Sequence, residues 1–166
     1  MRLAKRKVKG GRAMRSIIIV TLILSAFFYS CDSKGAFEQN VKIPNEQWNM
    51  DSMAVIHANI TDTTTVYNVL VNIRNTTDYP NSNLYLFITT HAPSGAVIRD
   101  TMECMLANDM GKWLGNGFGR MRDNQIPYKS SVKFPVTGEY VFEIQHGMRS
   151  PNLKGIASTG IRIERR

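Results

Sequence analysis

An alternation of apolar and polar residues with a period of two recurs from Phe37 to the end of the chain, and it restricts the fold more than any other feature. Within Val66–Arg74, Tyr67 and every second residue after it are apolar or aromatic, and most of the intervening ones are polar. Successive side chains of a strand point to opposite faces of the sheet, so this pattern predicts half-buried strands. No long stretch repeats every 3.6 residues, and we therefore expect an all-β domain.

Turn residues such as Pro93-Ser94-Gly95 separate the alternating stretches about every ten residues. The candidate strands are Phe37–Ile43, Met53–Ile60, Val66–Arg74, Leu84–His91, Val97–Met105, Ser131–Phe134, Tyr140–Gln145 and Ile161–Glu164. About eight strands at this spacing predict a single antiparallel β-sandwich, Ig-like or jelly-roll-like, over residues 37–166. One helical turn is expected at Leu106–Gly111.

Residues 1–30 predict a cleaved signal peptide, because basic residues precede the 13-residue apolar run Ile17–Tyr29. As a helix that run would cover about 20 Å, whereas a hydrocarbon core is about 30 Å thick, so a permanent transmembrane anchor is the weaker interpretation. Met14 is an alternative start, since the segment that follows it is a compact signal peptide by itself.

The sequence Phe28-Tyr29-Ser30-Cys31 resembles a lipobox, in which a lipid is attached to the cysteine sulfur and the chain is cleaved before that cysteine. We therefore expect lipidation of Cys31 and a short lipidated tether over residues 31–36, which makes a membrane the first partner. The anchor would lie in the outer membrane or on the periplasmic face of the inner membrane. The alternative is an unmodified Cys31 that forms a disulfide with Cys104.

The formal net charge of +8 does not indicate a nucleic-acid partner, because it is concentrated in the export segment. Seven of the 21 basic residues and none of the 13 acidic residues lie within residues 1–30. The remainder carries 14 basic and 13 acidic residues, without the basic excess that is typical of nucleic-acid binding.

A glycine-rich segment at 111–128 is predicted to be a long loop, and long structured loops often carry function. Its apolar residues Trp113, Leu114 and Phe118 form the candidate partner surface. Alternatively, Trp113 and Phe118 plug the end of the sandwich while the glycines provide positive φ angles.

No pattern predicts a catalytic residue, a cofactor or a metal site. His57, His91 and His146 lack the spacing of metal ligands and are expected at strand edges or on the surface. Cys104 lies in an apolar-leaning stretch and is expected to be a buried, unreactive thiol. The nine methionines are dispersed along the chain, which predicts core filling.

Several segments together resemble the gliding-motility lipoprotein GldH family of the Bacteroidetes. They are Tyr79–Phe87, Asp100–Glu103 with Leu106-Ala107, Gly111–Gly117, Gly138–Phe142 with His146–Arg149, Leu153–Ile156 and Gly160–Glu164. The resemblance implies a lipoprotein of the gliding apparatus or of its type IX secretion-linked counterpart. It implies no catalytic residue, and it carries over one chemical role, that of Cys31.

Two functions remain open at this point. The first is a non-enzymatic envelope lipoprotein that binds another envelope or gliding-complex protein through the 111–128 loop or an exposed strand edge. The second is a glycan-binding surface lipoprotein in which sugars stack on exposed aromatic rings. Its candidate residues are Trp48, Tyr79, Trp113 and Tyr128.

Overall fold

The computed structural model describes residues 35–166, and the chain forms ten strands and one short 3-10 helix there. The strands are β1 (Gly35–Lys42), β2 (Gln47–Asn49), β3 (Ala54–Ile60), β4 (Tyr67–Thr76), β5 (Asn83–His91), β6 (Val97–Met105), β7 (Met121–Val132), β8 (Gly138–His146), β9 (Asn152–Lys154) and β10 (Ile156–Arg165), with the helix at Pro44–Glu46. The predicted signal peptide, Cys31 and residues 32–34 of the predicted tether lie outside the described residues.

The eight long strands form two four-stranded sheets with a jelly-roll order. Sheet I has the order β1-β10-β4-β7, sheet II has the order β3-β8-β5-β6, and all pairs are antiparallel. Counted without the short strands β2 and β9, these orders are 1-8-3-6 and 2-7-4-5, the winding of a jelly roll. The all-β sandwich predicted from the sequence is confirmed in its jelly-roll form.

The core lies between the two sheets because each central strand is apolar on one face only. In β3 every second residue is buried, and β8 places Tyr140, Phe142 and Ile144 on the same side of sheet II. Val71 of β4 and Ile161 of β10 face them from sheet I, each with no exposed surface. Alternation read from the sequence therefore identified the correct faces of these strands.

The antiparallel registers give the sandwich two distinct ends. β1 begins at what we call the tether end, together with the connections 61–66, 92–96 and 133–137. The connections 43–53, 77–82, 106–120 and 147–155 lie at the opposite, distal end. β7 runs between the two ends, and its 12 residues span about 36 Å at about 3.3 Å per residue.

The structure corrects the strand prediction in two places. The predicted loop at 111–128 is wrong in its second half, because β7 begins at Met121. This strand is at the edge of sheet I and lacks a clear apolar face, and Pro127 and the positive φ of Ser131 interrupt its pattern. β2 and β9 were not predicted because three residues are too few to show a period.

No helix within residues 35–166 is long and apolar enough to cross a membrane.

Candidate functional site

The connection between β6 and β7, which we call the distal loop (residues 106–120), is ordered by its own backbone. Leu114 N–H donates to Leu106 O over 2.9 Å, and Ala107 and Trp113 form an isolated β-bridge. At the tip, the Asn108 side-chain oxygen accepts from the backbone N–H groups of Met110 and Lys112 at 3.1 and 2.9 Å. These bonds make a tight hairpin turn, so the helical turn predicted at Leu106–Gly111 is wrong.

The second half of the distal loop returns to β7 through a close backbone contact at a glycine. Asn116 and Asp123 exchange two backbone hydrogen bonds at 2.9 and 2.7 Å. Between them, Gly117 has φ 151°, and a Cβ atom there would lie 2.3 Å from Met121 O. Only glycine fits this position without displacing the start of β7.

An ion-pair cluster fixes the junction of the distal loop with β7. Arg120 Nη1 and Nη2 donate to the two carboxylate oxygens of Glu46, each over 2.9 Å, and Nη2 also contacts Asp78 Oδ2 at 3.0 Å. The pair with Glu46 is bidentate, which fixes orientation as well as distance. Arg120 therefore ties the distal loop to the two other connections that carry Glu46 and Asp78.

The apolar residues of the distal loop differ strongly in exposure. Phe118 is 98% exposed, Met110 91% and Leu114 56%, while Trp113 is half-buried and packs against the core. The alternative in which Phe118 plugs the sandwich is therefore wrong. Leu114 also lines a groove of about 520 Å³ together with Met105 and residues 123–127 of β7. Exposed apolar patches mark interaction sites, and the distal loop carries three exposed apolar side chains, those of Met110, Leu114 and Phe118.

His146 lies in the core at the distal end, which corrects its predicted surface position. Its side chain is 1% exposed, its ring meets that of Trp48 edge to face at 5.5 Å, and its Nε2 lies 3.1 Å from Trp48 O. Burial lowers the pKa of His146, so the ring is neutral and Nε2–H donates to the carbonyl. His146 therefore has a structural role in the core and does not line a cleft where it could transfer protons.

Cys104 is fully buried and forms no disulfide within residues 35–166, in agreement with the predicted unreactive thiol. Burial raises its pKa to about 12, which leaves almost no thiolate at neutral pH. His91 lies on the opposite face of sheet II, and neither it nor His146 hydrogen bonds to Cys104. Within the described part of the chain, neither histidine is therefore placed to take a proton from the Cys104 thiol.

The two other histidines lie on the outer face of sheet II. His57 Nδ1 is 3.4 Å from Glu139, and His91 Nε2 is 3.2 Å from Glu143. Residues 35–166 contain no group of three His, Cys, Asp or Glu side chains that could hold a metal ion.

The aromatic residues proposed to stack on sugars are mostly withdrawn from solvent. Trp48 and Tyr79 are 1% and 3% exposed, and burial raises the pKa of Tyr79 to about 12. Tyr128 is half-buried, and its hydroxyl donates to Asp100 Oδ2 over 2.5 Å. The structure thus contradicts glycan stacking on Trp48 and Tyr79.

Exposed methionines at the distal end were missed from the sequence. None of the seven methionines of residues 35–166 is fully buried, and only Met102 and Met148 pack against the core, so the predicted role in core filling is wrong for the other five. All seven lie in the distal half of the sandwich, namely Met50, Met53, Met102, Met105, Met110, Met121 and Met148. Their positions in the sequence gave no sign of this grouping, because they fall in five separate segments.

Comparisons with known proteins give one consistent result. The family described as GldH lipoprotein matches residues 35–163. A gliding motility lipoprotein GldH homolog of Christiangramia forsetii is 38% identical over 156 residues, covering 90% of this chain and 93% of that protein. The gliding motility lipoprotein GldH of Flavobacterium johnsoniae is 33% identical over 154 residues, covering 89% and 95%.

One solved structure, that of the infectious bursal disease virus Gx strain, covers 81% of this chain and 33% of its own chain, with 17% identity and a TM-score of 0.34. That score is too low to support an argument.

The fold and the site define a class, an all-β jelly-roll domain with an ordered, apolar loop at one end. The extent and identity of the sequence matches then give the family: this chain belongs to the GldH lipoprotein family.

Proposed function

We propose that this protein is a non-enzymatic lipoprotein of the bacterial cell envelope, anchored by a lipid on Cys31, that acts in gliding motility or in its type IX secretion-linked counterpart. Its physical task is to hold another envelope protein through the distal loop. The nearly complete exposure of Phe118 on an ordered loop is the observation that supports binding through the distal loop. The family membership supports the role as an envelope lipoprotein of gliding motility.

The position of β1 supports a partner-facing distal loop. Only residues 32–34 separate Cys31 from Gly35, the first residue of β1, so the lipid and β1 lie within about 14 Å of each other. β1 starts at the tether end, whereas the distal loop lies about 36 Å away along the strands. An anchored domain therefore places the distal loop away from the bilayer that holds the lipid, where it can meet another protein.

The chemistry of the distal loop indicates what that protein presents. Phe118 and Met110 are long apolar side chains without contacts of their own, and Leu114 borders the groove beside β7. Aromatic side chains that fill a partner's pocket contribute most of the affinity in many interfaces, and methionine adapts to irregular surfaces. The partner we propose is an envelope protein with an apolar pocket that receives Phe118.

Colony spreading tests this proposal in a gliding bacterium that lacks its own family member and carries this chain instead. The variant Phe118→Ser should stop or strongly reduce spreading, because the pocket loses its apolar occupant, while the amount of protein in the membrane stays unchanged. Val136→Ser is the matched control, since Val136 is an exposed apolar residue at the tether end. Spreading by Phe118→Ser at the wild-type rate would refute the role of the distal loop.

The anchor is tested separately with a palmitate analogue. Wild type should be labelled and sediment with membranes, and Cys31→Ser should not be labelled, because a single sulfur carries the lipid. Label that persists in Cys31→Ser would contradict the assignment of the lipid to this cysteine.

A further inference from the structure

A polar trough crosses the outer face of sheet I, on the opposite side of that sheet from the core. It is lined by side chains of β1, β4 and β7, among them Glu38, Asn40, Asn72, Arg74 and Gln125, and its volume is about 320 Å³. A second cavity, of about 820 Å³, shares Asn40 and Arg74 with it and continues to the distal end. Together they form one elongated groove along the sheet.

The groove owes its depth to Gly160 of β10, which lies between Asn40 of β1 and Asn72 of β4. A Cβ atom at Gly160 would lie 2.2 Å from Asn40 Oδ1 and 2.3 Å from Gln39 O. Because no side chain stands there, Asn72 Nδ2 reaches across β10 and donates to Asn40 Oδ1 at 3.0 Å and to Glu38 Oε1 at 2.8 Å.

The amide network in this groove is incomplete. Asn72 is 9% exposed, and its Oδ1 is buried without a hydrogen-bond partner. Exchanging the two amide atoms would not complete it, because Oδ1 would then face the acceptors Glu38 and Asn40. A buried acceptor without a donor is unfavourable, so this position favours a ligand that supplies a hydroxyl or N–H group.

The charged groups that line the trough around Asn72 already have partners, whereas Lys42 lines only the second cavity. Arg74 Nε and Nη2 donate to the two carboxylate oxygens of Asp123 at 2.6 and 3.0 Å, and Glu38 Oε2 accepts from Arg162 at 2.5 Å. A charged ligand would have to break one of these pairs, whereas an uncharged polar ligand can add to them. The lining therefore favours a neutral ligand with many hydroxyl groups.

Backbone strain marks the distal mouth of the groove. Asn45 and Glu46 both line it, and both have positive φ angles, 53° and 55°. Non-glycine residues in this region are strained, and such residues are concentrated at functional sites. The bidentate pair of Glu46 with Arg120 holds this conformation in place.

We propose that this groove binds a neutral glycan chain, which lies along sheet I with its hydroxyl groups on the amide and carboxylate side chains around Asn72. A peptide fits less well. β10 and β4 are interior strands with their backbone groups paired to neighbours on both sides, so they cannot add a peptide strand. The groove differs from the stacking surface expected from the sequence and from the distal loop of the proposed function.

The test uses the exported chain, purified from cell envelopes in mild detergent, on an array of neutral hexasaccharides. Peptidoglycan glycan strands freed of their peptides are included as the anionic comparison, because their lactyl groups are carboxylates. At least one of the neutral hexasaccharides should bind. Asn72→Ala and Gln125→Ala should each weaken that binding at least ten-fold by titration. The side chain of Gln125 is exposed, and no hydrogen bond from it is seen within the described chain, so Gln125→Ala should leave the fold intact and keeps the test valid if Asn72→Ala destabilises the domain.

Asn59→Ala is the matched control, because Asn59 is an exposed amide on the outer face of sheet II. It should bind the glycan as wild type does. The proposal is overturned if no neutral glycan binds, if Gln125→Ala binds like Asn59→Ala, or if extended peptides on the same array bind and glycans do not.

Discussion

The neutral, buried ring of His146 predicts that this domain loses stability in mild acid. The ring packs on Trp48 and uses Nε2–H as a donor, while Nδ1 is buried without a partner. A proton added at Nδ1 would place an uncompensated charge in the core, which is why burial lowers the pKa of His146. In the unfolded chain the same imidazole titrates near its ordinary pKa of about 6.5.

The sign and size of the effect follow from proton linkage. Below about pH 6.5 the unfolded state binds a proton that the folded state does not, so the free energy of unfolding falls as the pH falls. The slope is at most about 1.4 kcal/mol per pH unit, and the loss between pH 7.5 and 5 reaches up to about 2 kcal/mol. Asp62 and Asp100 have lowered pKa values, but their contribution is lost only below about pH 4, outside this range.

Urea unfolding of the exported chain at pH 7.5, 6 and 5 measures this slope. His146→Gln keeps an N–H donor for Trp48 O and removes the titrating ring, so it should be less stable at every pH but should lose less stability between pH 7.5 and 5. His57→Gln is the matched control, because that ring is exposed. Equal slopes for wild type and His146→Gln would show that the reasoning is wrong.

Three further predictions concern the core and the distal loop. Ile144 has no exposed surface in an interior strand, so Ile144→Ala should cost about 2–5 kcal/mol and Ile144→Val about 0.5–1.5 kcal/mol in urea unfolding; equal costs would contradict close packing there. The Cys104 thiol should react with a thiol reagent only after unfolding, because it is buried with a pKa of about 12, and rapid labelling of the folded chain would contradict this. Gly117→Ala should destabilise the domain by about 1–3 kcal/mol, because its Cβ would lie 2.3 Å from Met121 O; Gly111→Ala, which meets no atom within 4 Å, should cost less, and the reverse order would exclude this contact as the cause.

The sequence predicted seven of the eight long strands, including the little-buried β6, but missed most of β7 and the short strands β2 and β9. β3, β4 and β8 were found because their inward residues form unbroken apolar series. Ten of the twelve residues of β7 were missed, because at the edge of sheet I the strand alternates weakly and includes Pro127. The period of two mainly reports burial of one face, so a strand without a regular apolar face gives a weak signal.

The same rule shows which site residues could have been placed from the sequence. His146 continues the inward series of Tyr140, Phe142 and Ile144, and this parity was the available signal for a buried histidine. Phe118 offered no such signal, since it lies outside any periodic stretch and its exposure depends on the course of the distal loop. The trough around Asn72 was also invisible, because its residues come from strands that are distant in sequence.

The winding of the jelly roll explains how dispersed residues produce a domain with two different ends. Consecutive long strands run in opposite directions, so every second connection lies at the distal end. Connections that are two strands apart in the sequence therefore meet at that end. The tether end is closed by aromatic rings, where Phe134 packs edge to face on Tyr67 and Tyr140 at 5.5 and 4.8 Å. The distal end instead exposes Phe118 and several methionines, among them Met105 and Met110. Aromatic rings therefore pack the end at which β1 begins, and adaptable side chains are exposed at the other end.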